Sequence, residues 1–401
     1  MRKKYLVGPF LCTLSCWIVG NGTISLLPLY AIQRGASTAG SGLFLAFAFG
    51  CLALGTFAPG LLPGNFSHRR MVLTLTGVAQ VTALLLTSRT TTVLPFAVCC
   101  GAFYFTGGVT FTQATVLAGQ AAPEAERGTA MGILGMTNGL GSIIGGLGGG
   151  WLAGAHGFAG LWVGSGATAL LVIVGALLSV EIPQPRRVIP VGVTRTARSS
   201  ASATVLGTAL VFILAAHLAL SVVNATANLG RSLMMSGLGF SVLEINSTQS
   251  LSGAVALCLS FVLGWLSDKV GRRWVLVGSY VLASGAMLFL GLSHQLWHFY
   301  VTFGLVASVA VCMAVGPAYV MDVVPPAGAA RGVSLFQGMF WVGNIAGPVI
   351  LGLAFEHFGT STPILCSALF PLAGVLLLMR IRQPGLTARV GTRGPSATPS
   401  R

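Results

Sequence analysis

Twelve apolar stretches, each long enough to cross a bilayer, follow one another along this 401-residue chain with little but short polar breaks between them. A helix needs about 20 apolar residues to cross the ~30 Å hydrocarbon core. Read this way, spans are expected at about 6–29, 39–61, 70–88, 92–118, 129–153, 158–180, 203–227, 242–265, 273–292, 296–320, 332–354 and 361–380. Only 7% of the side chains are charged, against about 25% in soluble proteins, so most of a water-facing surface would be apolar. Lipid is the solvent that fits. The 55 glycines suit helices that must approach closely inside a membrane.

The formal charge of +15 would point to nucleic acid in a soluble protein. Here topology accounts for it. An even number of spans puts both termini on one side, and 19 of the 22 cations then fall on that side. Only Arg34, Arg89 and Arg231 are assigned to the opposite loops, and no cation to a span centre. That bias places both termini in the cytoplasm, and no nucleic-acid partner is expected. The run after MRKK continues to about Leu27 without a small-residue cleavage site, which favours an uncleaved first span. The eight cysteines all lie in apolar stretches and read as small buried side chains.

Residues 181–202 form the longest polar interruption, rich in Pro, Arg and Ser. They read as a cytoplasmic linker between an N-terminal bundle, 1–180, and a C-terminal bundle, 203–382, with 383–401 as a disordered basic cytoplasmic tail. At an offset of 204, Gly60, Leu62 and Arg69 meet Gly264, Leu266 and Arg273, and Arg127-Gly128 meets Arg331-Gly332. Gly139 and Gly148 likewise meet Gly343 and Gly352. The expected fold is therefore all-α, with twelve transmembrane helices in two pseudo-symmetric six-helix bundles.

The loop after the eighth span reads Gly264-Trp265-Leu266-Ser267-Asp268-Lys269-Val270-Gly271-Arg272-Arg273. It resembles the cytoplasmic signature G-x-x-x-D-[RK]-x-G-R-[RK] of the major facilitator superfamily. A carboxylate at Asp268 can cap a neighbouring helix N-terminus or pair with Arg272, giving a gate contact that forms in one conformation and releases in another. The first-half counterpart, Gly60 to Arg69, has Gly64 where the carboxylate belongs.

In the fifth span, Gly132, Gly141, Gly145, Gly149 and Gly150 resemble the G-x8-G-x3-G-P-x2-G-G signature of drug–proton antiporters, with Gly146 replacing the proline. Gly343, Gly347 and Pro348 repeat part of it in the eleventh span. These glycines are expected to pack helices backbone to backbone. The resemblance implies efflux across the plasma membrane, the inner membrane of a bacterium. The arginine that such antiporters carry in the fourth span is replaced by Phe103, and no acidic residue falls at a span centre.

Polar residues in lipid must face protein or water. His217, Ser221, Asn224 and Asn228 follow helical spacing along one face of the seventh span. The resemblance implies that spans 1, 4, 7 and 10 line the cavity, and an imidazole at His217 can carry a coupling proton. Matching stripes are Trp17 and Asn21; Phe103, Thr106, Thr110 and Gln113; Ser308 and Tyr319; Gln337, Trp341 and Asn344; and Gln249. Aromatic faces with amides and hydroxyls suit a neutral or amphipathic solute.

His294 and His298 are too few for a metal site, and no cofactor is expected. No G-x4-G-K-[ST] phosphate loop or intramembrane nucleophile–base pair occurs, which disfavours an ATP-driven pump and a membrane enzyme. The expected activity is secondary export of a small molecule by a monomer in the bilayer, with protons as a candidate coupling ion. Uptake or facilitated transport of a sugar-like solute, and a transport-inactive ligand sensor, remain the alternatives.

Overall fold

A computed structural model describes residues 4–61, 66–121, 127–179, 207–324 and 326–381. The expected linker, the basic tail and the loop around Gly64 lie outside these residues. In chain order the helices are α1 (Lys4–Ile24), α2 (Leu27–Gln33), α3 (Thr38–Phe57), α4 (Phe66–Thr87), α5 (Val93–Ala121), α6 (Arg127–Leu178) and α7 (Thr208–Gly237). Then come α8 (Val242–Val270), α9 (Arg272–Gly291), α10 (Leu296–Val306), α11 (Ser308–Val323), α12 (Pro326–Phe358), α13 (Ser361–Ser367) and α14 (Leu369–Arg380).

Ten segments among the described residues are long and apolar enough to cross a membrane. One of them, Gly132–Leu178, runs for 47 residues, about twice what one crossing needs. Gly157 interrupts it at φ +66°, a backbone state that a side chain disfavours, so α6 is two antiparallel spans joined at a glycine. The 29-residue α8 completes the twelve. Its junction with α9 is Gly271 at φ +101°, the glycine of the sequence motif. Span 1 is divided just before α2, whose first turn holds Pro28; span 10 turns at Ala307, and span 12 turns at Ala368.

The molecule is apolar outside and polar within. Leu54, Leu94, Leu369 and Leu376 are each at least 65% exposed, a surface that only lipid can solvate. Ser41, Thr110, Ser221, Thr226, Asn246 and Thr302 are fully covered. Many hydroxyls donate back to a carbonyl of the preceding turn, as Thr23 does to Val19 at 2.8 Å and Ser179 to Gly175 at 2.8 Å. Such bonds satisfy the hydroxyl inside its own helix.

The two halves are built alike. In the first, α1 packs along α6 and α3 along α5; in the second, α7 packs along α12 and α8 along α10 and α11. Glycines set these distances. A Cβ on Gly145 would press on the Ile18 carbonyl, and one on Gly149 would stand 2.7 Å from the Gly22 carbonyl. Gly141 meets Trp17 in the same seam. Across the other half, a Cβ on Gly347 would lie 2.7 Å from the Val222 carbonyl, and Gly343 faces Ser221 and Leu218. Gly150 backs onto Leu243, and the Pro348 carbonyl meets Gly42. Gly132 differs from these, because nothing lies within 4 Å of its Cβ position.

The halves meet along two related seams, α6 against α8 and α12 against α3, with α2 also touching α7. Among the described residues, the hydrogen bonds between them run from mid-helix to the end opposite the chain termini. Asn246 donates to the Gly22 carbonyl at 2.9 Å, and Ser250 to the Ile143 carbonyl at 3.1 Å. Glu356, near the end of α12, accepts from the Ala39 amide at 3.0 Å. A carboxylate thus caps the α3 N-terminus across the interface, where the helix dipole favours it.

At the opposite end the motif arginines act within the second half. Arg272 pairs with Asp322 at 3.2 Å. Arg273 donates to the Ile381 carbonyl at 3.1 Å and the Met379 carbonyl at 2.5 Å, holding the C-terminus of α14. Lys269 is exposed beside them. Gly264 and Asp268 fall outside the described side chains, and the expected Asp268 cap with them.

One expectation is corrected here. Arg231 is not a loop cation. The seventh span continues as helix to Gly237, and Arg231 is 0% exposed within it. Asn228, Gly230 and Arg231 look like polar punctuation in the sequence, but the helix turns this face into the protein.

Gly145→Ala is expected to lower stability by ~1–3 kcal/mol, the usual cost of overpacking. Gly148→Ala, one turn away with nothing within 4 Å of its Cβ position, is expected to leave it unchanged. Thermal unfolding in detergent checks the pair; equal midpoints would rule out the close α1–α6 contact.

Candidate functional site

Between the halves lies a cavity of about 230 Å³, walled by both of them. From the first half come Trp17 and Asn21 of α1, Gln80 of α4, Phe103 and Phe111 of α5, and Asn138 of α6. From the second come Asn224 and Asn228 of α7, Gln249 of α8, Phe303 of α10, and Trp341 and Asn344 of α12. No Asp, Glu, His, Lys or Arg is among the described lining residues.

Two asparagine pairs set the polar frame. Asn21 donates to the Asn138 side-chain oxygen at 3.2 Å, and Asn224 to that of Asn344 at 3.0 Å. Each pair joins the first helix of a half to the helix packed along it, so the two pairs sit on corresponding helices of the two halves. Asn344 also donates to the Phe340 carbonyl at 2.7 Å, which fixes its orientation. Between the pairs, Trp17 meets Phe111 edge to face at 5.5 Å, and Phe340 meets Trp341 at 5.4 Å. Such rings present large rigid apolar faces. The side-chain oxygen of Gln80 is buried in the wall with no hydrogen-bond partner in the chain. An unmet buried acceptor of this kind is costly.

Of the sixteen residues expected at the cavity, the structure brings eight to it: Trp17, Asn21, Phe103, Asn224, Asn228, Gln249, Trp341 and Asn344. The others lie elsewhere. Thr106 bonds to the Ala102 carbonyl of its own helix at 2.9 Å, and Thr110 meets Thr76 at 3.0 Å. Gln113 accepts from Arg69 at 2.7 Å. Ser308 donates to the Ser279 carbonyl at 3.3 Å, Tyr319 is buried, and Gln337 is exposed.

His217 and Ser221 are separated from Asn224 and Asn228 although all four share one face of α7. The reason is α12, which closes on α7 at Gly343 and Gly347 and covers that face below Asn224. His217 is fully buried and stacks on Phe336, ring centroids 3.7 Å apart. Both of its nitrogens lack a partner. Ser221 donates to the His217 carbonyl at 2.8 Å.

Several residues at or behind the wall escaped the sequence reading, among them Phe111, Phe303, Gln80, Asn138 and Arg231. Gln80 and Asn138 are single amides in otherwise apolar spans, and an amide alone in lipid was the available signal. Arg231 was misassigned to a loop.

With the fold and cavity in view, relatives become informative. A family model described as Major Facilitator Superfamily matches residues 9–230 and again 211–399. The chain belongs to that superfamily. It is a multi-pass membrane transporter, and its working surroundings are a lipid bilayer and a small-molecule substrate. Over 118 residues it is 34% identical to the tetracycline resistance protein, class C, of Escherichia coli; the match spans 29% of each chain. A solved bacterial homologue of the human lysosomal transporter Spinster, inward-facing and unoccupied, superposes with a TM-score of 0.70 at 17% identity, over 94% of both chains. The nucleoside transporter NupG gives 0.76 at 14% identity, over 94% of this chain and 99% of that one. A peptide transporter of the POT family gives 0.70 at 13%, over 100% and 99%. At these identities the structures show the superfamily's fold.

Because His217 is stacked away from the cavity, His217→Phe is expected to keep the protein folded and leave the pH profile of transport unchanged. It swaps one flat ring for another and removes two unpaired buried nitrogens, whose cost is about 1–3 kcal/mol each. Flux measured across pH in proteoliposomes checks this. A profile displaced in the variant would make His217 a proton carrier.

Proposed function

We propose that this chain is a secondary active transporter that exports a neutral or amphipathic small molecule, drug-like or metabolic, by alternating access. The observation that carries the reading is the cavity wall. It is shared by both halves, it is aromatic and amide-lined, and its described lining residues are uncharged. Eight aromatic side chains, among them Trp17, Phe111, Phe340 and Trp341, offer area to an apolar body. Asn21, Asn138, Gln80, Asn224 and Asn344 offer neutral donors and acceptors.

Among the described residues, the hydrogen bonds between the halves lie toward the end that the basic residues assign to the outside. Export is supported by sequence likeness, the partial match to a tetracycline resistance protein. In this reading both termini are cytoplasmic and the membrane is a bacterial inner membrane.

Thermal unfolding of detergent-purified protein with lipophilic drugs, sugars and nucleosides tests the solute class. A ligand of the cavity at 100 times its dissociation constant is expected to stabilise by ~2.7 kcal/mol. Lipophilic compounds are expected to do so, and Trp17→Ala to abolish the effect. Stabilisation by sugars or nucleosides alone would replace export of amphipathic compounds with transport of polar neutral solutes. Ligand binding without flux in proteoliposomes would make the protein a sensor.

A further inference from the structure

Arg231 lies inside the protein, one side-chain layer behind the cavity wall. It is 0% exposed. One terminal nitrogen donates to the Thr248 hydroxyl at 3.0 Å and to the Gln249 side-chain oxygen at 3.1 Å. The other donates to the Asn228 side-chain oxygen at 3.0 Å and to the Ser25 hydroxyl. The guanidinium carbon stands 3.9 Å from the centre of the Phe303 ring, and Nε has no partner. Three of these neighbours, Asn228, Gln249 and Phe303, are themselves cavity wall.

All four acceptors are neutral. They satisfy donors but leave a full positive charge in a dry interior, where a buried cation is normally paired with an anion. A planar guanidinium is also the side chain best matched to a two-oxygen anion, which it can bind through two parallel hydrogen bonds. The two amides holding it line the cavity, so a solute pressed against that wall can take their place as acceptor.

We propose that Arg231 binds the acidic head group, a carboxylate or phosphate ester, of an amphipathic solute whose apolar body lies against the aromatic wall. The inference rests on the cavity being the transport site and narrows its substrate class to organic anions. It also couples loading to gating. Ser25 belongs to the first half and Arg231 to the second, so a guanidinium drawn toward an anion at Asn228 and Gln249 gives up a bond that joins the halves.

The test uses three probes of one shape, naphthoate, naphthyl phosphate and the uncharged naphthamide, in phospholipid-free detergent, so that a lipid phosphate cannot supply the anion. Thermal unfolding of the full chain is expected to give an apparent affinity at least about tenfold higher for the acids than for the amide, as charge-assisted bonds outweigh neutral ones. Arg231→Gln is expected to bind all three alike, and Arg231→Lys to keep part of the preference. Should Arg231→Gln not fold, Gln249→Glu serves instead. It supplies an internal carboxylate, and is expected to raise the ligand-free midpoint while losing the response to the acids.

Acids and amide stabilising the wild type alike would overturn the inference and leave the cavity reading intact. So would stabilisation by uncharged drugs but by neither acid. An undiminished preference for acids in Gln249→Glu would also overturn it. No response to any of these compounds would remove both proposals together.

Discussion

A polar group inside hydrocarbon has no water to turn to, and that constraint decides which way each helix of this protein faces. Serines and threonines meet it cheaply by bonding to the preceding turn of their own helix, as Thr23 and Ser179 do. Amides carry more polar atoms than one turn can satisfy: Asn344 bonds back to Phe340 of its own helix and still needs a partner on another. Asn21 and Asn138 find each other, as do Asn224 and Asn344. These pairs point the amide faces of four helices at the same central space, and the cavity follows from that orientation.

Close helix contact is the complementary condition, since between helices in lipid the hydrophobic effect gives little and packing must supply the attraction. Gly145 and Gly149 let α6 touch α1, and Gly343 and Gly347 let α12 touch α7. The same two helices then carry the interface between halves, α6 on α8 and α12 on α3. One face of a glycine-rich helix thus builds the bundle while an adjacent face forms the sliding seam. This arrangement needs residues without side chains on more than one face, which accounts for Gly145-Gly146 and Gly149-Gly150 in a single span.

The architecture was largely legible in the sequence because span length and the offset of 204 between halves are long-range periodic signals. The site was half legible. Helical spacing identifies a face, so Asn224 and Asn228 were found, but it does not say where a neighbouring helix covers that face, and His217 was lost under α12. Thr110 and Gln113 failed for a similar reason: on α5 they meet Thr76 and Arg69 of α4 instead of open space. Arg231 was invisible because a cation near the end of an apolar run ordinarily marks a loop. The positions of Ser25 just beyond α1, of Thr248 and Gln249 on α8, and of Asn228 one turn before it show that it can be solvated internally.

The distribution of charge contacts bears on how the two halves move. In the described residues, Arg272 and Arg273 tie α9 to α11 and to the end of α14, all within the second half. These contacts stiffen that half. Among the described residues, the bonds between the halves, from Glu356, Asn246, Ser250, Arg231 and Ser232, sit from mid-helix toward the other end. A typical hydrogen bond contributes about 0.5–1.5 kcal/mol net, so a handful of them amounts to a few kcal/mol. That is the scale of the difference between two conformations that a ligand must shift. A solute that competes for even one or two of these bonds therefore has enough free energy to change which state is populated, provided the half it acts on moves as a unit.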